Sequence, residues 1–254
     1  MIDSLLDGSI DVNGAQVDGM TALHWASYYD EVDLVGRLVT AGADVQVVNR
    51  YGVTPLSLAA ENGNQTIVER LLDTGADANT ALPGGETVLM TAARSGRVGV
   101  VRALIAHGAD ILAKEERRGQ TPLMWAVAEG HADIVETLIE VGADFTAPLD
   151  SGFTPFLFAV REGHLDVVRV LVSAGVDVNG LVTEVVRQER TYRAGRPIRV
   201  GTSPLLVAVT NAHWHVAAAL LDAGADPNVN ASGYTALHMI PKVRKPGVGD
   251  NNPA

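Results

Sequence analysis

A chain of 254 residues with a formal net charge of −11 repels phosphate backbones, so nucleic acid is not an expected partner. It contains no cysteine, which excludes disulfides, thiol catalysis and cysteine-ligated metals. No apolar run approaches the ~18 residues of a membrane span, and the start, Met1 to Asp7, lacks the basic region and long apolar core of a signal peptide, which weighs slightly toward the cytoplasm.

Residues 1–18 read as half of a unit that then repeats. Met1 and Ile2 fall where Ile67 and Val68 fall later, Leu5 and Leu6 match Leu71 and Leu72, and Asp11 and Asn13 match Asp77 and Asn79. The first helix of that unit is missing, as at a cap or at a cut in a longer chain. Unit one, 19–51, opens with Thr21 and holds His24 and Trp25. From there a Thr or Ser recurs at Thr54, Thr87, Thr121, Thr154, Ser203 and Thr235, in steps of 33, 33, 34, 33, 49 and 32. Glycine keeps the same step at Gly42, Gly75, Gly108, Gly142, Gly175 and Gly224, and alanine at Ala26, Ala59, Ala92, Ala126, Ala159 and Ala208. Such a fixed period marks a repeat architecture.

Unit two, 52–84, shows what one copy is. Thr54-Pro55 starts a helix, because the threonine oxygen accepts from an orphan N–H and proline at the first helical position has none to lose. Leu56, Ala59 and Ala60 share one side of it, and the alanines admit a second helix at close range. Gly63 ends it. A second helix begins near Gln65, with Ile67, Val68, Leu71 and Leu72 forming an apolar stripe, and Gly75 fits a left-handed cap. The polar run from Asp77 to Gly84 reads as a turn. Neither helix buries its stripe alone, so units stack into a solenoid.

Unit three, 85–118, has one extra turn residue, and its string from Lys114 to Arg118 is expected to be a solvated tip. Units four, 119–151, and five, 152–180, are regular. An insertion follows at 181–200, where Val182 to Val186 and Pro197 to Val200 have strand-type residues and Ala194-Gly195 can turn them into a β-hairpin. It occupies the turn position and is expected to protrude without breaking the stack. Unit six, 201–232, carries Ala212 where other units have glycine or Asp30. A partial unit, 233–240, opens with Thr235 and His238 and fails at Ile240-Pro241. Residues 241–254 read as a polar tail.

Gly119-Gln-Thr-Pro-Leu-Met-Trp-Ala126 and Gly142-Ala-Asp144 are similar to the opening and closing motifs of the ankyrin repeat family, and the likeness covers roughly 1–180 and 200–240. The resemblance implies an all-α ankyrin-repeat solenoid of stacked helix-turn-helix units with protruding turns. It also implies that His24 and His238 make structural hydrogen bonds to their threonines. It implies nothing about which partner is bound.

Metal and catalytic readings are weak. His131, His164 and His213 occupy one repeat position, just before the second helix, and adjacent units sit roughly 10 Å apart, too far for one zinc with ligands near 2 Å. His213 and His215 face different ways on their helix. No nucleophile elbow or phosphate loop is present. No catalytic, metal or cofactor site is therefore expected, nor any enzymatic activity.

A better signal comes from aromatic residues. At about 100° per residue, Leu58 points roughly 150° away from the core side of its helix. The same position holds Trp25, Trp125, Phe158, Val207 and Met239. These side chains either pack sideways on the neighbouring first helix or form an apolar strip along a concave face. The candidate binding set is Trp25, Tyr28, Tyr29, Tyr51, Trp125, Phe153, Phe158 and Arg161, since aromatic residues and arginine most often carry interface energy. Arg187, Arg190, Tyr192, Arg193 and Arg196 of the insertion join it. That segment carries +3 against −14 for residues 1–180. The expected function is non-catalytic binding of another protein, by a monomer, through the concave face and turn tips. The alternative is a regulatory or substrate-docking portion of a larger enzyme whose catalytic domain lies outside this chain, and a third reading is a structural spacer.

Overall fold

The computed structural model describes residues 11–148, 152–182, 200–229 and 233–243. Among these the chain forms thirteen helices and no sheet. Two compact units are separated at Ala143 and Asp144. The first contains α1 (Ala22–Tyr28), α2 (Val32–Thr40), α3 (Pro55–Asn62), α4 (Gln65–Asp73), α5 (Val88–Ser95), α6 (Val98–Ala106), α7 (Pro122–Glu129) and α8 (Ala132–Glu140). The second contains α9 (Pro155–Glu162), α10 (Leu165–Ser173), α11 (Pro204–Thr210), α12 (Trp214–Asp222) and α13 (Ala236–Val243).

Each unit is built of two helical layers. In the first unit, α1, α3, α5 and α7 pack in series as an inner layer and α2, α4, α6 and α8 as an outer one. In the second, α9, α11 and α13 are the inner helices and α10 and α12 the outer. The helices start where the sequence puts a cap. Thr54 Oγ1 accepts from the Ser57 N–H at 3.1 Å while Ser57 Oγ accepts from the Thr54 N–H at 3.0 Å. This reciprocal pair satisfies donors that the first turn leaves unpaired. Gly63 closes α3 in the left-handed conformation at φ 77°. Asp30 and Ala212 take that conformation at φ 59° and 61°, which is where the repeat period aligns them with glycine.

The core sits between the layers. Ile67, Val68 and Leu71 of α4 are fully buried, as are Ala59 and Ala60 of α3 facing them. A buried leucine contributes about 1.5–3 kcal/mol of hydrophobic free energy. Ala26, Ala59, Ala92 and Ala126 of the inner helices are no more than 1 % exposed, so neighbouring helices meet there with no room for a longer side chain.

The turns are two-armed fingers. Gln16, Asn49, Leu82 and Glu115 each donate a backbone N–H across the finger to Met20, Val53, Glu86 and Gln120. Neighbouring fingers join where the Arg50 N–H bonds to Asp18 O and the Glu116 N–H to Gly84 O, both at 2.9 Å. The expected solvated tip at Lys114 to Arg118 is only partly solvated. Glu115 is buried, and its carboxylate accepts from the Arg117, Arg118 and Gln120 N–H groups at 2.6, 2.7 and 3.1 Å. It replaces Asn49, whose Oδ1 accepts from the Tyr51 and Val53 N–H groups. A charged acceptor is tolerated there because backbone donors surround it.

The insertion begins and ends on a clasp. The Val182 N–H donates to Thr202 O at 3.2 Å and the Gly201 N–H to Val182 O at 2.7 Å, with Val182 itself buried. The candidate hairpin between them lies outside the described residues.

Candidate interaction surface

The inner helices carry the candidate strip. Trp25, Leu58, Trp125, Phe158 and Met239 are all half-buried, so each presents part of its surface. Val207 is 1 % exposed, enclosed within the second compact unit, where α11 packs against α9, α12 and α13, so at this position the sideways-packing alternative applies. Thr91, at the same position of α5, is also buried, and its hydroxyl donates to Glu86 Oε1 at 3.1 Å.

Trp25, Tyr28 and Tyr29 come together at the end of α1. The Trp25 and Tyr29 rings are near-parallel, 5.9 Å between centroids and 19° between planes. Tyr28 meets both edge-on, at 6.1 Å from Trp25 and 5.0 Å from Tyr29. Aromatic pairs prefer these offset and T-shaped arrangements. Tyr28 and Tyr29 remain 50 % and 65 % exposed. Below them is a recess of about 450 Å³ lined by Trp25, Tyr29, Glu31, Asp33, Leu34 and Arg37, together with Ala26. Tyr51 sits apart, on a finger, with the Arg50 guanidinium 5.9 Å from its ring centroid and Val17 and Val48 exposed nearby in the same row of fingers.

The other aromatic residues hold arginines of this chain. Arg94 of α5 lies over Trp125 of α7 at 5.3 Å and pairs with Glu86 at 3.5 Å. In the second unit Arg161 lies over Phe153 and Phe158 at 4.7 and 4.3 Å and pairs with Glu162 at 2.7 Å. Phe153 and Phe158 are themselves edge-on at 6.3 Å. Arg94 was not singled out by the sequence, although the signal was available: it stands seven residues after Thr87, as Arg161 does after Thr154. Arg187, Arg190, Tyr192, Arg193 and Arg196 lie outside the described residues.

His24, His107, His131 and His213 make hydrogen bonds within the fold. His24 is fully buried; its Nδ1 accepts from the Thr21 N–H and hydroxyl at 3.2 and 3.0 Å, so Nε2 carries the proton and donates to Val53 O at 3.0 Å. Burial pushes its pKa below the usual 6.5, against the raising influence of the Val53 carbonyl and of Asp18. His131 and His213 donate from Nε2 to the carbonyls of Arg94 and Arg161, at 3.0 and 2.8 Å. Each caps the end of the preceding inner helix. Their rings lie where a Cβ on Gly96 or Gly163 would clash, so glycine there serves both the left-handed turn and the close approach. His107 is held above its usual pKa, first by the Ala103 carbonyl and then by Asp73 at 3.2 Å. No cluster of three metal-ligating side chains occurs among the described residues. No helix there is long and apolar enough to cross a membrane.

Comparison with protein families agrees with this architecture. The description "Ankyrin repeats (3 copies)" matches residues 1–81, 28–115, 78–148 and 112–181, and the description "Ankyrin repeat" matches residues 200–231. The comparison with curated proteins gives no match.

Proposed function

Since the chain belongs to the ankyrin repeat family, whose repeats are generally protein–protein interaction modules, we propose that it is a non-catalytic binding protein that takes its partner on the inner-helix face and finger tips. The observation that carries this reading is the Trp25, Tyr28 and Tyr29 cluster. It places two half-exposed tyrosines and an indole on a rigid helix end. Tyrosine and tryptophan in such settings supply large contact area at little entropic cost. Tyr51 and the arginine-covered rings of Trp125, Phe153 and Phe158 extend the same chemistry in their own units. The arginines of the insertion, from Arg187 to Arg196, would add charge steering toward an acidic patch of the partner.

Crosslinking capture with the wild-type chain and with a Tyr28→Ala, Tyr29→Ala, Tyr51→Ala variant tests this. The three side chains are exposed, so the variant keeps its helical circular dichroism. The partner recovered by the wild type is expected to be lost. Equal recovery by the variant sinks the assignment to this face.

A further inference from the structure

The described rings of the candidate binding set fall into two groups. Tyr51, Trp125, Phe153 and Phe158 each hold a guanidinium of the chain itself over their faces, at 4.3–5.9 Å. Trp25, Tyr28 and Tyr29 hold each other, and no arginine of the described residues lies over them within that range. Glu31 and Asp33 are among the residues that line the recess beside Trp25 and Tyr29. Its one cation, Arg37, is already engaged in an interaction of its own. Across residues 11–62 there are seven carboxylates and two arginines, so the field at this end of the unit is negative.

We infer that the recess formed by Trp25, Tyr29, Glu31 and Asp33 is a docking site for an arginine side chain on an exposed segment of a partner protein. This deepens the binding function proposed above and rests on it. A guanidinium is planar and weakly hydrated. It stacks on aromatic faces and presents a fork of donors to a carboxylate, which an ammonium cannot do in one geometry. The indole and phenol faces supply the stacking surface, and Glu31 and Asp33 supply acceptors beside it. The chain uses the same solution internally, where Arg161 lies on Phe153 and Phe158 and pairs with Glu162. The partner's arginine would repeat that arrangement between molecules.

The three tryptophans of the chain give three indole N–H signals for nuclear magnetic resonance. The full chain is titrated with a capped Gly-Arg-Gly-Arg-Gly peptide, its lysine counterpart and a neutral leucine counterpart. The arginine peptide is expected to shift the Trp25 indole saturably and leave that of Trp125, which Arg94 already covers. A Tyr28→Leu, Tyr29→Leu variant, folded by circular dichroism, is expected to bind about fivefold more weakly or worse. Glu31→Gln with Asp33→Asn is expected to weaken it as well and to flatten its salt dependence. Equal affinity for the lysine peptide reduces the site to general charge attraction and overturns the proposal. So does an equal shift at Trp125, or tighter arginine binding once residues 183–199 are replaced by a Gly/Ser link, which would identify the chain's own insertion as the occupant. A shift with the leucine peptide but not the arginine peptide overturns the arginine chemistry alone and leaves the docking face standing. The capture experiment above decides that face separately.

Discussion

The Asn179 side chain donates from Nδ2 to the Gly224 carbonyl at 3.2 Å and accepts at Oδ1 from the Asp226 N–H at 2.8 Å. Asn79 makes the same two bonds with Gly108 and Asp110, at 3.0 and 2.7 Å, and Asn13 makes them with Gly42 and Asp44. Asn79 and Gly108 are 29 residues apart, whereas Asn179 and Gly224 are 45 apart. The neighbouring repeats are therefore in register although the chain between them is longer.

Asn179→Ala removes both bonds at an exposed site and is expected to cost about 1–2 kcal/mol in urea unfolding, near the net worth of two hydrogen bonds. Asn79→Ala is expected to cost about the same. A neutral Asn179→Ala beside a costly Asn79→Ala would mean the bond across the insertion carries no load.

Ala212 is a non-glycine residue in the left-handed region, at φ 61°. That conformation costs an L-residue about 1–2 kcal/mol, and glycine's greater freedom in the unfolded chain returns part of the gain. Ala212→Gly is expected to stabilise the second unit by about 0.5–1 kcal/mol. A lower midpoint for the variant would show that the Ala212 methyl makes a contact worth more than the strain.

Ser27 is fully buried and its hydroxyl has no hydrogen-bond partner among the described residues. The same repeat position holds Ala60 and Ala93, both fully buried. Removing an unsatisfied buried hydroxyl without changing the packing is expected to gain about 1 kcal/mol. Differential scanning calorimetry of Ser27→Ala checks this, and a lower melting temperature would contradict it.

His24 and His107 pull the pH dependence in opposite directions. His24 has a folded pKa below 6.5, so as pH falls through 6.5 the unfolded chain takes up a proton that the folded chain does not. Stability from this site is full above 6.5 and declines toward the folded value. His107 has a raised folded pKa, so its contribution is full below 6.5 and is lost as pH rises through that higher value. In denaturation between pH 8 and 5, the stability gap between wild type and His24→Gln is expected to shrink toward acid. A gap that stays constant would show that His24 titrates alike in both states.

The period made the architecture legible before any coordinates. It located each inner helix by its Thr or Ser, and it marked Asp30 and Ala212 as residues standing where glycine is favoured. What it could not supply depends on neighbours in space. Glu115 looked like one charge in a charged string, and only the finger's backbone donors explain why it is buried. Val207 shares its position with Trp25 and Trp125, yet its surroundings in the second compact unit cover it. Tyr28 and Tyr29 were visible as aromatic residues, but the recess beside Tyr29 depends on Glu31 and on Asp33 and Leu34 of α2 lining it together with Trp25 of α1.

The clasp at Val182 separates two kinds of inheritance. Both of its bonds are backbone bonds, one of them donated by Gly201 in the left-handed conformation at φ 82°, and closing a longer loop costs only about 0.6 kcal/mol per doubling of length. A change in the length of the segment between the feet of the clasp is therefore expected to cost the scaffold little in chain entropy. Descendants of this gene can vary the length of that segment at little entropic cost, whereas the buried Val182 and the left-handed Gly201 tolerate little change.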